Sequence, residues 1–178
     1  MELLNMPHWN APGSFYEGKP SDHARAMRRQ LESSVTLLPW IATIDAFQHW
    51  IYANPTHTRD ERTQEWINLD KRFGKGFSWQ GLEQYRDSGW QKQGHLFGSP
   101  FYYIEYGIAQ LGALGLWIRS LEEGPKVAID AYINALSLGG SRPLPELFAA
   151  AGLDFDFGPK TVEKLVARVE AELAKLPE

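Results

Sequence analysis

The chain has 178 residues, a formal net charge of −4 and 43% hydrophobic residues, which fits a folded protein with a substantial core and excludes a disordered one. The absence of cysteine excludes disulfides and thiol catalysis within the chain and fits a cytoplasmic protein. Basic residues are scattered rather than clustered, so we expect no nucleic-acid partner.

Apolar residues recur with helical spacing along most of the chain, and no segment alternates like a strand. The predicted helices are residues 1–4, 21–54, 58–73, 78–92 or 80–92, 101–118, 123–138, 143–151 and 160–176. Pro39 predicts a break or kink in the second of these. Thr58 and Glu61 have the spacing of a capping box at the start of the third. We expect an all-α helical bundle that forms a single domain over residues 1–178.

The segment 101–118 is the most apolar part of the chain and is nearly long enough to cross a membrane. Glu105 and Gln110 interrupt it, which favours a central helix buried by other helices. Its glycines cost helix propensity, so they predict close packing against neighbouring elements. The N-terminus also lacks the charged and apolar regions of a signal peptide. We therefore expect no membrane association.

One histidine and three tyrosines lie close together at the start of this central helix, in the run HLFGSPFYYIEYGIAQLGALGLW. If the helix begins near residue 101, Tyr102 and Tyr106 are one turn apart, as are Tyr103 and Tyr106, so their hydroxyls can share a face. Phenols and imidazoles that converge on one spot can stabilise an oxyanion. Aromatic residues at this spacing are more often part of a hydrophobic core, so the spacing alone favours the core and leaves the site as the alternative.

Three long segments resemble the oligoendopeptidase F-type zinc metallopeptidases, which are relatives of thimet oligopeptidase. They are HLFGSPFYYIEYGIAQLGALGLW, LPWIATIDAFQHWIY and LGGSRPLPELFAAAG, and they follow the order found in that family. The resemblance covers nearly the whole chain. It implies that the chain is the C-terminal portion of the catalytic domain of a peptidase that cleaves oligopeptides.

The zinc site of this family does not occur in the sequence. Members bind zinc through an H-E-x-x-H helix, whose Glu is the general base, and through a downstream glutamate. None of the five histidines here is followed by Glu. The resemblance places Glu2 after the ligand glutamate, where it would either support the metal site as a neighbouring group or be an exposed carboxylate at the start of a helix. We therefore predict no metal site and no cofactor in this chain, and zinc in the full-length enzyme.

The resemblance also implies roles for the histidine and tyrosines. His95, Tyr103 and Tyr106 would be catalytic donors to the tetrahedral intermediate, and Tyr102 and Gly98 would contact the substrate. Asp45 and His49 are one helical turn apart and more plausibly form a structural pair.

Two functions follow from this reading. The first is the substrate-binding and transition-state-stabilising part of a zinc-dependent metalloendopeptidase, inactive alone because the metal site is missing. The second is a non-enzymatic helical binding or complementation module. The expected partners are an oligopeptide substrate and either the missing N-terminal half or a second copy of the chain.

Overall fold

The computed structural model describes residues 2–177. Within them, helices are the only regular secondary structure, which confirms the all-α prediction. The α-helices are α1 (Glu2–Asn5), α2 (Pro20–Ala53), α3 (Arg59–Phe73), α4 (Glu83–Asp87), α5 (His95–Gly98), α6 (Ile104–Glu123), α7 (Pro125–Ser137), α8 (Leu144–Ala150) and α9 (Pro159–Leu173). Met1, predicted to begin the first helix, lies outside the described residues.

A local signal predicted the start of α3 correctly. At the start of α3 the Thr58 hydroxyl accepts from the backbone N–H of Glu61, and the Glu61 carboxylate accepts from the backbone N–H of Thr58, which confirms the capping box.

Helix α2 continues through Pro39 rather than breaking there. Its hydrogen-bond ladder nevertheless lacks one donor, because proline has no N–H.

The region between α3 and α6 differs from the prediction. In place of one helix ending near Lys92 there are two short pieces, α4 and a 3₁₀ turn at Gly89–Lys92. The expected loop 93–100 contains α5. Helix α6 begins at Ile104, three residues later than expected.

The chain divides into two compact units. The first comprises residues 2–35 and 108–177, and the second comprises residues 36–107. The single domain over 1–178 stays a prediction.

The core of the first unit is mostly aliphatic. Its buried residues are Leu3, Met6, Leu31, Leu114, Trp117, Ile118, Leu165 and Val169. Leu165 and Val169 belong to the apolar stripe predicted for α9, one helical turn apart. An added Cβ at Gly112 would lie 3.0 Å from the Phe148 ring, so this glycine permits the predicted close packing.

The core of the second unit is largely aromatic. Its buried residues are Ile41, Ile44, Phe47, Trp66, Leu69, Trp90 and Tyr103. The ring of Trp66 meets that of Phe47 edge-on at a centroid distance of 5.1 Å. The Trp66 indole N–H donates to the backbone carbonyl of Arg86 at 2.7 Å, so this buried ring is also hydrogen-bonded. This core supports the elements that carry the histidine and tyrosines.

Among the described residues, no helix combines the length and the apolar character that a membrane span requires.

Candidate functional site

The site lies in the second unit, where α5 carries His95. Leu96, the next residue, packs against the aromatic core and so anchors this short helix. Gly98 ends α5, and an added Cβ there would meet nothing within 4 Å, so the space beside its backbone is open. The glycine thus leaves room beside its backbone, and its contact with a substrate stays a prediction.

Phe101 redirects the chain between α5 and α6. Its φ is 57°, a left-handed conformation that a non-glycine residue rarely adopts. Its backbone N–H donates to Oε1 of Gln48, in α2, at 2.9 Å. A right-handed helix cannot include such a residue, and α6 begins only at Ile104, so Tyr102 and Tyr103 precede it. The expectation that they share a helical face with Tyr106 is therefore wrong.

The turn still brings the four predicted side chains together. His95 Nε2 lies 3.0 Å from the Tyr106 hydroxyl oxygen. The Tyr102 ring stacks on the His95 ring at a centroid distance of 6.1 Å and an angle of 12°. The Tyr103 ring meets the His95 ring edge-on at 5.1 Å. We call these four residues the His–Tyr cluster.

The three tyrosines of the cluster differ in exposure. Tyr102 and Tyr106 are 49% and 40% exposed, whereas Tyr103 is 9% exposed. The Tyr103 hydroxyl accepts a hydrogen bond of 3.0 Å from the indole N–H of Trp40. The geometry thus combines both interpretations of the sequence, with Tyr103 in the aromatic core and the other two phenols at the surface. A catalytic role for Tyr103 stays a prediction.

Gln93 is a member of the site that sequence reasoning missed. Its side-chain nitrogen Nε2 lies 2.8 Å from His95 Nδ1, so both ring nitrogens of the histidine have a partner. The only signal in the sequence is a polar residue two positions before the histidine, which is too common to single it out.

Other candidate residues have partners that do not belong to the His–Tyr cluster. Asp45 and His49 face each other on α2 at 3.6 Å, as their spacing predicts. The Glu2 carboxylate accepts from the Gln30 side chain at 3.1 Å in the first unit. Between residues 2 and 177, no three His, Cys, Asp or Glu side chains group together to hold a metal ion.

A model of the peptidase family M3 matches residues 11–166. A structure described as an oligoendopeptidase F, from crystals grown by microfluidic seeding, is 32% identical with a TM-score of 0.81. The structure of PZ peptidase A with an inhibitor is 31% identical with a TM-score of 0.86. Each match covers 98% of this chain and 30% of the other.

An oligoendopeptidase F structure from Bacillus anthracis strain Ames is 28% identical, with a TM-score of 0.73, and the match covers 98% of this chain and 27% of that one. A search of curated proteins gives no match. The chain therefore spans less than a third of the length of the structures it matches. These findings confirm the resemblance stated from the sequence. Because the family model covers most of its length, the chain belongs to peptidase family M3.

Proposed function

We propose that this chain provides the substrate-binding and transition-state-stabilising part of a zinc-dependent metalloendopeptidase that cleaves oligopeptides. The observation that carries the proposal is the 3.0 Å contact between His95 Nε2 and the Tyr106 hydroxyl oxygen. This pair lies at the surface, beside the exposed Tyr102 and near Gly98.

The chemistry of the pair suits acyl transfer. When a scissile carbonyl becomes tetrahedral, its oxygen gains negative charge, and a fixed hydrogen-bond donor stabilises that charge. A tyrosine hydroxyl stays protonated near neutral pH and donates without carrying a charge of its own. Tyr106 is the donor we assign to the oxyanion, and His95 holds its hydroxyl in place. Tyr102 and the backbone at Gly98 would contact the peptide.

The residues of this chain do not fit a zinc site. No histidine is followed by Glu, and the described side chains contain no metal-binding group. We therefore assign the zinc and the general base to a part of an M3 peptidase outside these residues. We also infer that the isolated chain does not cleave peptides. Cleavage by pure material that a chelator abolishes would contradict this inference.

A chimera tests the proposal directly. This chain would replace the matching segment of the relative that is 31% identical, and cleavage of a quenched fluorescent oligopeptide would be measured. We expect peptidase activity, and we expect Tyr106→Phe to lower kcat by about 10²–10³, the usual cost of removing one oxyanion donor.

Tyr85→Phe is the matched control, because Tyr85 is 62% exposed and lies outside the His–Tyr cluster. It should leave kcat unchanged. A folded, zinc-loaded chimera that cleaves nothing would overturn the proposal, and so would a Tyr106→Phe chimera as active as the parent.

The second candidate function is a complementation module that docks to a separate chain carrying H-E-x-x-H. An apolar groove of about 500 Å³ in the first unit supports it. Leu136 is 59% exposed there, and Leu144 is 40% exposed. Exposed apolar surface of this kind is typical of an interface.

Light scattering on the pure chain, alone and mixed with the remaining part of the relative, tests the module. A stable heterodimer that lacks peptidase activity would favour the module over the enzyme part. A chain that stays monomeric in the mixture would contradict docking.

A cytoplasmic location stays a prediction, supported by the absence of cysteine.

A further inference from the structure

We propose that Gln93 is a positioning residue that selects the tautomer of His95 and thereby frees the Tyr106 hydroxyl hydrogen for the substrate. The tautomer itself is a property of this chain alone. Its use on a substrate rests on the function proposed above.

The side-chain amide of Gln93 faces the ring of His95. Its nitrogen Nε2 lies 2.8 Å from His95 Nδ1, and an amide nitrogen only donates hydrogen bonds. Nδ1 must then accept, so it carries no hydrogen. In a neutral imidazole the hydrogen is therefore on Nε2.

The Tyr106 hydroxyl lies beside the other ring nitrogen of His95, Nε2. An Nε2–H group donates to the Tyr106 hydroxyl oxygen, 3.0 Å away, and leaves the hydroxyl hydrogen free. Accepting a hydrogen bond also polarises the phenol and strengthens it as a donor. His95 and Tyr106 then form a chain of donors that ends in an exposed O–H.

The opposite amide orientation would have the opposite result. A Gln93 carbonyl oxygen facing Nδ1 would accept from an Nδ1–H group, and Nε2 would accept from Tyr106. The hydroxyl hydrogen would then be held by the histidine and lost to the substrate. The orientation of one amide thus decides whether Tyr106 donates outward.

The backbone holds Gln93 in place for this role. Its N–H donates to the Trp90 carbonyl at 3.1 Å, and its carbonyl accepts from the Leu96 N–H at 3.1 Å. Trp90 is buried in the aromatic core, and Leu96 packs against that core. Gln93 is therefore fixed at the junction between the 3₁₀ turn and α5.

Nuclear magnetic resonance on the full chain, labelled with ¹⁵N, tests the proposal without any peptidase activity. We expect His95 to be the Nε2–H tautomer and to show a scalar coupling across the hydrogen bond between Gln93 Nε2 and His95 Nδ1. An Nδ1–H tautomer would overturn the proposal.

Two variants separate positioning from folding. Gln93→Glu places a carboxylate opposite His95 Nδ1, which must then carry a hydrogen. The ¹⁵N chemical shift of Nδ1 should therefore change from that of an unprotonated nitrogen to that of a protonated one. Gln91→Glu adds the same charge at an exposed glutamine two residues earlier and should leave the His95 resonances unchanged.

An unchanged tautomer in folded Gln93→Glu, or the same shift in Gln91→Glu, would also overturn the proposal. If Gln93→Glu does not fold, the scalar coupling between Gln93 Nε2 and His95 Nδ1 in the unsubstituted chain decides whether the proposal stands. An inactive chimera would count against the proposed function and leave the tautomer result standing.

Discussion

The side chain of Gln48, near the C-terminal end of α2, holds the backbone of Phe101, 53 residues away, through a 2.9 Å hydrogen bond. Gln48 is 1% exposed, and Phe101 has a φ of 57°. A left-handed conformation costs a non-glycine residue about 1–2 kcal/mol, and a fixed acceptor for its N–H offsets part of that cost. This contact holds Phe101 in the turn that precedes Tyr102, Tyr103 and the start of α6.

We expect Gln48→Leu to lower the free energy of unfolding by on the order of 1 kcal/mol, because the Phe101 N–H loses its acceptor. Chemical denaturation measures the change. Gln80→Leu is the control, since Gln80 is exposed and its substitution should change stability little. Equal effects of the two substitutions would show that the Gln48 contact contributes nothing.

We expect Tyr103→Phe to lower the stability of the chain more than Tyr102→Phe does. Removing the Tyr103 hydroxyl leaves the indole N–H of Trp40 without its acceptor, which should cost about 1 kcal/mol of stability. Tyr102 is half exposed, so its substitution should stay within about 0.5 kcal/mol. Thermal or chemical unfolding of both variants checks this order, and a reversed order would refute it.

Gly152→Ala should destabilise the end of α8. Gly152 has a φ of 71° and donates to the Ala149 carbonyl at 2.9 Å, while the Leu153 N–H donates to the Phe148 carbonyl at 2.9 Å. This is a Schellman motif, in which glycine avoids the penalty of the left-handed conformation.

An alanine Cβ at residue 152 would also overlap the Arg119 guanidinium, which donates to the Ala151 carbonyl. We expect a loss of about 1–2 kcal/mol from the backbone conformation alone. Gly140→Ala is the matched control, because an added Cβ there meets nothing within 4 Å. Denaturation curves that coincide for the two variants would contradict this account.

The capping box of α3 should make its stability depend on acid. The backbone N–H of Thr58, and secondarily its hydroxyl, hold the pKa of the Glu61 carboxyl below its ordinary value. A lowered pKa means that this contribution is complete above the unfolded-state pKa and is lost as the pH falls through the folded-state pKa.

Titration of Glu61 by nuclear magnetic resonance checks this. Thr58→Ala should raise the pKa of Glu61 part of the way, because the backbone donor remains. Thr63→Ala, within the same helix, should leave that pKa low. A pKa that does not move in Thr58→Ala would exclude the hydroxyl as a cause.

Sequence reasoning succeeded where the signal is local. The capping box needs only Thr58 and Glu61, which are one turn apart, and the apolar stripe of α9 repeats within a single helix. The His–Tyr cluster was singled out through a resemblance over long segments. The family match confirms that resemblance, and the roles of the cluster residues stay predictions.

Sequence reasoning failed where a distant side chain decides. The turn before α6 contains Phe101, whose N–H is held by Gln48, and no local pattern reveals that contact. The burial of Tyr103 likewise depends on Trp40, 63 residues earlier. Gln93 was missed because its importance arises from the orientation of an amide toward a ring, which residue spacing does not encode.

Pro39 interrupts the backbone hydrogen bonds of α2 and so affects how its amides exchange with solvent. Because it supplies no N–H, the carbonyl of Val35 has no donor four residues ahead, while the Thr43 hydroxyl adds a 2.9 Å bond to the Pro39 carbonyl on the other side. The ladder is thus interrupted once and reinforced one turn later. In hydrogen exchange, the amides before and after Pro39 should therefore exchange as two separate blocks with different protection, although α2 is one continuous helix of 34 residues.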